Sequence, residues 1–338
     1  MNQKFGIKLL LSVTLISSLL LGAASAAETR YLRIAAGDVA SGLFDLAGVV
    51  ASAISNQQEA RACRQNRQQN GCDTLPLVAV AQTSASAQAA LTKLRTGVAD
   101  LAVVPDSIAF TAYTGTSNRR TAAWPQLRAL ANLTVRPILF FTRGDREANS
   151  IAGLQRLRIA IGPRGSDSSQ NLVTLLAALG LPPGSYAAVN SNAGSSAYEL
   201  IRTNQADVVI MVTSELPAPE RAALASGELR LVSPGKSEFE RIALAYPFVS
   251  RQSIEAGTGL SYTTIGTGSV LVARADLAAN IVHSLLQNLW LKPTPGLNRI
   301  AGGIASQLDA KQAAYNLPAP LHSSAATFYQ DNKLMEIK

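Results

Sequence analysis

The sequence is poor in the residues that carry most enzyme and metal chemistry. It has 2 Cys and 2 His among 338 residues, and aromatic residues make up only 5%. So few cysteines exclude a disulfide scaffold, which needs many more in a shorter chain. Charged residues are scarce at 15% while hydrophobic residues reach 47%, which excludes a disordered chain. The composition is that of a folded globular protein, and its length suggests two domains or lobes.

Motifs for catalysis and nucleotide binding are missing as well. The sequence has no Gly-x-Ser-x-Gly elbow, no His-Glu-x-x-His and no phosphate loop ending in Lys-Ser/Thr. His283 falls within a predicted helix and His322 follows a proline-containing stretch, and neither has a motif partner for nucleophilic or metal catalysis. We therefore expect a binding protein that is not an enzyme and has no cofactor and no metal site.

One long apolar run is present, at the N-terminus. Lys4 and Lys8 precede the apolar stretch Leu9–Gly22, and Ala24-Ser25-Ala26 supplies small residues for a signal peptidase. The run is shorter than the roughly 20 residues that cross a bilayer. We predict a cleaved signal peptide over residues 1–26 and a periplasmic mature chain from Ala27, with an uncleaved anchor as the alternative.

The cysteines fit an exported protein. Cys63 and Cys72 flank a polar, basic stretch that has no apolar residue to pack. A disulfide between them would contribute about 2 to 3 kcal/mol by constraining the unfolded chain. A metal or catalytic thiol is the alternative, but no His lies nearby in the sequence, and two Cys with the isolated acids Glu59 and Asp73 make a poor zinc site. We predict the Cys63–Cys72 disulfide.

The chain has a formal net charge of +8, but its basic residues are scattered. Aromatic residues do not alternate with them, which argues against a nucleic-acid surface. The positive electrostatic potential of the chain can attract small anions or anionic surfaces.

Short apolar runs alternate with periodic segments along the mature chain. The alternation indicates two α/β units, each a mostly parallel sheet flanked by helices, followed by a return strand and C-terminal helices. A ligand cleft is expected between the lobes, outside the carboxyl ends of the strands. The predicted boundaries are residues 27–135 for the first part of lobe 1, 136–264 for lobe 2, and 265–338 for the segment that packs back on lobe 1.

Two strand-to-helix turns are candidates for ligand contacts. In the turn Gly162–Ser169, backbone N–H groups and serine hydroxyls at a helix start would suit a carboxylate or another small anion. The turn Gly37–Gly42 is its counterpart in the first lobe. The alternative is that both are ordinary turns in which a serine or aspartate caps the helix.

Several short motifs occur in the order of a known receptor family. They stand at Gly37–Gly42, Leu94–Val104, Gly162–Ser166, Thr263–Gly268 and Leu321–Tyr329. The chain resembles the TAXI family of TRAP-transporter solute receptors over essentially its whole mature length. The resemblance implies a two-lobed periplasmic binding protein of type II that closes by a hinge. It also implies a small-molecule solute, a carboxylate or an amino acid, and a TRAP-type membrane permease as partner.

Three departures from the family pattern fall in the expected ligand shell. Ala87 and Ala90 stand where the family has Ser and Asn, Pro105-Asp106-Ser107 replaces a Gln-Ser-Asp-like triplet, and Asp167 stands where glycine is usual. Asp167 either caps its helix with the carboxylate turned away or favours a ligand with a cationic amine.

We expect the solute to be held by small polar residues from both lobes, with Arg164 either making a charge-assisted contact or lying solvated at the lip. The expected ligand-binding residues are Ser41, Gly42, Ser84, Ser86, Gln88, Arg164, Gly165, Ser166, Asp167 and Ser168. A diffusing receptor is expected to be a monomer. A periplasmic sensing or partner-binding module of the same fold, or an exported enzyme, is the alternative.

Overall fold

The computed structural model describes residues 29–55, 76–115, 122–192, 194–255, 259, 261–291 and 307–335. The predicted signal peptide and both cysteines of the predicted disulfide lie outside these residues.

The described elements alternate between strands and helices for most of the chain. In chain order they are β1 (Arg30–Ala36), α1 (Leu43–Ile54), β2 (Leu77–Gln82), α2 (Ala87–Arg95), β3 (Leu101–Pro105), α3 (Asp106–Thr114), β4 (Leu127–Arg143), β5 (Arg158–Ala160), α4 (Asp167–Ala178), β6 (Ala187–Val189), α5 (Ala197–Arg202), β7 (Val208–Val212), α6 (Ala218–Ser226), β8 (Leu229–Leu231), α7 (Lys236–Ala245), β9 (Ser250–Glu255), β10 (Ser261–Arg274), α8 (Ala279–Leu286) and α9 (Ser323–Asp331). Short 3₁₀ turns at Val39–Ser41 and Ala152–Leu154 and a π turn at Gln287–Leu291 complete them.

The strands form one mixed sheet in the order β2-β1-β3-β10-β4-β7-β5-β6, with β8 paired to β4 and β9 to β10. In what we call the first half, β1, β2 and β3 are parallel. In the second half, β5 is parallel to β6 and β7. This is the α/β class with parallel units that the sequence predicts.

Two long strands connect the halves. β4 pairs with β10 from Leu127 to Pro137 and with β7 from Ile138 to Thr142, so a single strand belongs to both halves. β10 pairs antiparallel with both β3 and β4. β10 is the return strand that the sequence predicts. The exact lobe boundaries remain predictions.

Separate hydrophobic clusters stabilise the two halves. β3 is buried over its whole length, as expected for a central strand covered by helices on both faces. α1 buries Leu43, Leu46 and Val50 against the first half, where Phe328 and Tyr329 of α9 also pack. The second half has its own core around Phe140, Leu175 and Phe248. These cores fix the strand ends from which the candidate site is built.

Candidate functional site

The carboxyl ends of β1, β2 and β5 lead into helix starts that meet between the two halves. Such strand ends are where open α/β sheets place their ligands. Gly37 and Asp38 follow β1, Ala87 begins α2, and Asp167 begins α4. These residues form the contact between the halves that we call the junction.

Asp167 makes the central contact of the junction. Its Oδ1 and Oδ2 each lie 2.9 Å from the Ala87 N–H nitrogen, which donates to them. Oδ2 also accepts from Asp38 N at 3.4 Å, and Asp167 is only 1% exposed. Burial raises the pKa of the Asp167 carboxyl, and the hydrogen bonds from Ala87 and Asp38 N–H oppose that rise. The carboxylate therefore reaches out of its own half to the start of a helix in the other.

Four residues further along α4, Asn171 makes a second contact. Its Oδ1 accepts a hydrogen bond from the Ser107 hydroxyl, and its Nδ2 lies 3.5 Å from Thr267 Oγ1 on β10. Residues at i and i+4 lie on one face of a helix. One face of α4 thus contacts the starts of both α2 and α3.

Asp106, the first residue of α3, is buried beside these contacts. Its Oδ2 accepts from Gly268 N at 2.7 Å, whereas its Oδ1 is buried without a hydrogen-bond partner. Burial raises the pKa of Asp106 to about 8, although the hydrogen bond from Gly268 N–H lowers it. The resemblance places Asp106 in the expected ligand shell as part of the triplet Pro105-Asp106-Ser107, but Asp106 was not among the expected ligand-binding residues. Its position directly after the buried strand β3 is the signal that could have identified it.

Further buried polar atoms without partners lie near the crossing strands and at the end of β2. Among the described residues they include Asn132 Oδ1, Thr134 Oγ1 and Arg136 Nε on β4 and Ser84 Oγ after β2. Thr134 and Arg136 are the cross-strand neighbours of Ser269 and Thr267. Burial lowers the pKa of the Arg136 guanidinium. Buried polar groups are nearly always paired, so such atoms call for a partner from outside the chain.

The predicted ligand residues of the turn Gly162–Ser169 differ in exposure and in hydrogen-bond partners. Ser166 caps α4: its Oγ accepts from Ser169 N at 3.2 Å and donates to Pro163 O at 2.8 Å. Arg164, Gly165 and Ser168 are exposed. Asp167 alone among them reaches the other half.

The predicted residues of the first half also divide into local caps and exposed groups. Ser41 Oγ donates to Asp38 O at 2.6 Å, and Gly42 adopts a φ of 72° between the 3₁₀ turn and α1. Ser86 caps α2 by accepting from Ala89 N at 3.2 Å. Gln88 is exposed, whereas Ser84 is buried. The Ser86 and Ser166 hydroxyls cap their helices, and in the first turn the cap is the Asp38 carboxylate, which accepts from Ser41 N at 2.8 Å.

Both histidines lie away from the junction. His322 caps α9 with Nδ1, which accepts from Ser324 N at 3.2 Å, and its Nε2 lies 3.2 Å from Ala275 O. Burial lowers the pKa of His322, so the ring is held neutral. The His283 ring packs edge-on against Phe328. Among the described residues, no group of three or more His, Cys, Asp or Glu side chains could hold a metal ion.

Two surface pockets occur on the second half. One, of about 300 Å³, is lined by residues that include Tyr198, Arg202 and Glu228. The other, of about 340 Å³, includes Lys236, Phe239 and Arg251. Neither is lined by residues of the junction. In the described part of the chain, no helix has the length and apolar character needed to cross a membrane.

Comparison with known proteins agrees with this architecture. Residues 34–332 match the NMT1-like family. A TctC solute binding protein from Polaromonas is 15% identical with a TM-score of 0.52, over 90% of this chain and 96% of that chain. The periplasmic aliphatic sulphonate binding protein SsuA from Escherichia coli is 14% identical with a TM-score of 0.42, over 89% of this chain and 83% of that chain. The likeness to the TctC protein shows the fold and confirms the predicted fold class.

Proposed function

This chain belongs to the NMT1-like family, and we propose that it is a periplasmic receptor that captures a small polar organic solute between its two halves. The proposal gives it no catalytic activity. The solute would then pass to a membrane permease, and the resemblance to the TAXI family supports a permease of the TRAP type. The receptor acts as a monomer in this proposal.

The buried polar atoms without partners carry the proposal. Asp106 Oδ1, Thr134 Oγ1 and Arg136 Nε are enclosed near the place where the halves meet, yet no group in the described part of the chain satisfies them. Each such atom costs about 1–3 kcal/mol when it is left unpaired. A solute that pairs with them recovers that energy, and it does so only when the halves are closed around it.

The charges at this place favour an amino acid over a simple anion. Within the described residues, neither Asp106 nor Arg136 has an oppositely charged side chain within 4.0 Å. A zwitterion offers a carboxylate to the guanidinium, and its ammonium group would favour the ionised form of the Asp106 carboxyl, whose pKa burial raises to about 8. The expected solutes are carboxylates and amino acids. Only an amino acid has a partner for Asp106 as well as for Arg136.

The crossing strands supply the hinge that capture requires. β4 and β10 are continuous through both halves, so the halves can rotate about them while each keeps its own core. Hinge closure around a ligand is the usual motion of such receptors. A solute that contacts both halves shifts the population toward the closed form, which a permease can recognise.

Equilibrium dialysis of the purified protein against a concentrated extract of small bacterial metabolites tests the proposal. We expect one small polar molecule to be enriched on the wild type, as read by mass spectrometry after denaturation. Asp106→Asn and Arg136→Met should lose it, whereas Asp45→Asn, which removes an exposed acid on α1, should keep it. No enrichment over the two site variants, or conversion of the molecule into a product, would overturn the proposal.

A further inference from the structure

The start of α2 already holds a carboxylate. Ala87 is the first residue of this 9-residue helix, and both Asp167 oxygens accept from its N–H at 2.9 Å. The N–H groups of a helix start carry about half a positive charge, and they bind anions from ligands in the same way. Asp167 approaches this helix start from the other half of the molecule. A solute bound between the halves would present its anionic end to the same N–H group.

The backbone of the first half is shaped around this carboxylate. A Cβ on Gly37 would overlap Asp167 Oδ2 and would lie 2.8 Å from Leu43 Cδ1, so a side chain there would force the Asp167 carboxylate to move. Asp38 N approaches Oδ2 at 3.4 Å. Asp167 is enclosed by main-chain atoms from β1's end and from α2, as a bound ligand would be.

Asp167 is free to make this contact because it is not needed as a cap. Ser166 caps α4, with its Oγ accepting from Ser169 N at 3.2 Å. The carboxylate one residue later can therefore turn toward the other half. The sequence offered two roles for Asp167, as a cap of its own helix or as a partner for a cationic amine. In the structure its carboxylate instead accepts from the start of α2.

The charge nearby is negative. Asp167 N lies 3.5 Å from Asp38 Oδ2, which brings a second carboxylate to the same place. Within the described residues, no Lys, Arg or His lies within 4.0 Å of Asp38, Asp106 or Asp167 as an ion-pair partner. A second anion here would meet like charge and would find the Ala87 N–H taken.

We propose that Asp167 is a built-in anion that sets the solute class, because it occupies the helix start that a solute carboxylate would use. The receptor therefore accepts solutes that present an amine or a neutral donor to this part of the junction, and it rejects dicarboxylates. The inference rests on the proposed function and narrows it.

Removing the Asp167 carboxylate by mutation and adding a small free anion tests this inference. In Asp167→Ala, acetate or formate should bind at the start of α2 and raise the midpoint of thermal unfolding by several degrees, in a saturable way at constant ionic strength. The wild type and Asp45→Ala, which removes an exposed acid on α1, should not respond. Asp167→Asn, which keeps the shape without the charge, should not respond either.

Asp167→Ser, which also removes the carboxylate, repeats the titration in case Asp167→Ala does not fold. An equal acetate response in the wild type, or no response in whichever vacated variant folds, would overturn the inference. The titration uses only acetate and formate. Its outcome is therefore separate from the metabolite dialysis, which can succeed or fail independently.

Discussion

The carboxylate of Asp167 accepts the main-chain N–H of Ala87 at 2.9 Å with both oxygens, joining the start of a helix in one half to the start of a helix in the other. The contact combines a charged acceptor with a helix start, which strengthens the hydrogen bonds. The junction is thus held by polar groups with defined geometry.

The absence of a side chain at Gly37 is a condition for that contact. Gly37→Ala should lower the free energy of unfolding by about 1–3 kcal/mol, because the new methyl group overlaps Asp167 and Leu43. Chemical denaturation measures the loss. Gly48→Ala is the control, since a Cβ there meets nothing within 4 Å inside α1 and should stabilise by about 0.5–1 kcal/mol.

The Gly37→Ala loss should be smaller when Asp167 is also changed to Ala, because the carboxylate no longer competes for the space. Additive losses in this double-mutant cycle would show that the two positions do not interact.

Asp106 should make stability fall as pH rises. Burial raises its pKa to about 8 in the folded protein, above the usual value of about 3.9 for an aspartate in an unfolded chain. The folded state then binds one proton more than the unfolded state between these values, which costs about 1.4 kcal/mol of stability per pH unit. Asp106→Asn keeps an acceptor for Gly268 N–H and removes this dependence.

Denaturant unfolding of the wild type and of Asp106→Asn at pH 5 and pH 8 measures the effect. From pH 5 to pH 8, the free energy of unfolding of the variant should rise relative to that of the wild type by an amount on the order of a few kcal/mol. Asp45→Asn controls for removal of an exposed acid. A stability difference that does not change with pH would contradict the buried, unpartnered carboxyl.

His322 should act in the opposite direction. Burial lowers its pKa, so the unfolded state binds the proton more readily and stability is lost as pH falls below about 6.5. His322→Asn keeps a capping side chain at the start of α9 but does not titrate. The stability gap between wild type and variant should shrink from pH 8 to pH 5 in denaturant unfolding, and a widening gap would contradict the neutral cap.

Local patterns in the sequence predict most of this fold. The buried strand β3 and the amphipathic helix α1 follow from apolar runs and helical spacing. The helices α3 and α7 were not predicted. α3 has no side-chain cap at Pro105, and its apolar residues are not confined to one face, so nothing in its pattern marks the start.

The candidate site was only partly predictable, because its contacts join distant segments. Asp167 was recognised as unusual, but its partner Ala87 lies 80 residues away. Asp106 contacts Gly268 across 162 residues. Ser166 was expected as a ligand contact or as a cap, and a cap is what local sequence chemistry favours. The spacing of residues in the sequence identifies such turns, but it does not show which turns contact each other in the folded protein.

Thermal unfolding of the chain from Ala27 onward, with a panel of amino acids, amines, keto acids and dicarboxylates, tests the central claim most directly. A solute present at about 100 times its dissociation constant adds about 2.7 kcal/mol, enough to raise the midpoint by several degrees. The account predicts such a shift for an amino acid or another amine-bearing solute, and its loss in Asp106→Asn. A shift for dicarboxylates alone, or one that Asp106→Asn leaves intact, would contradict it.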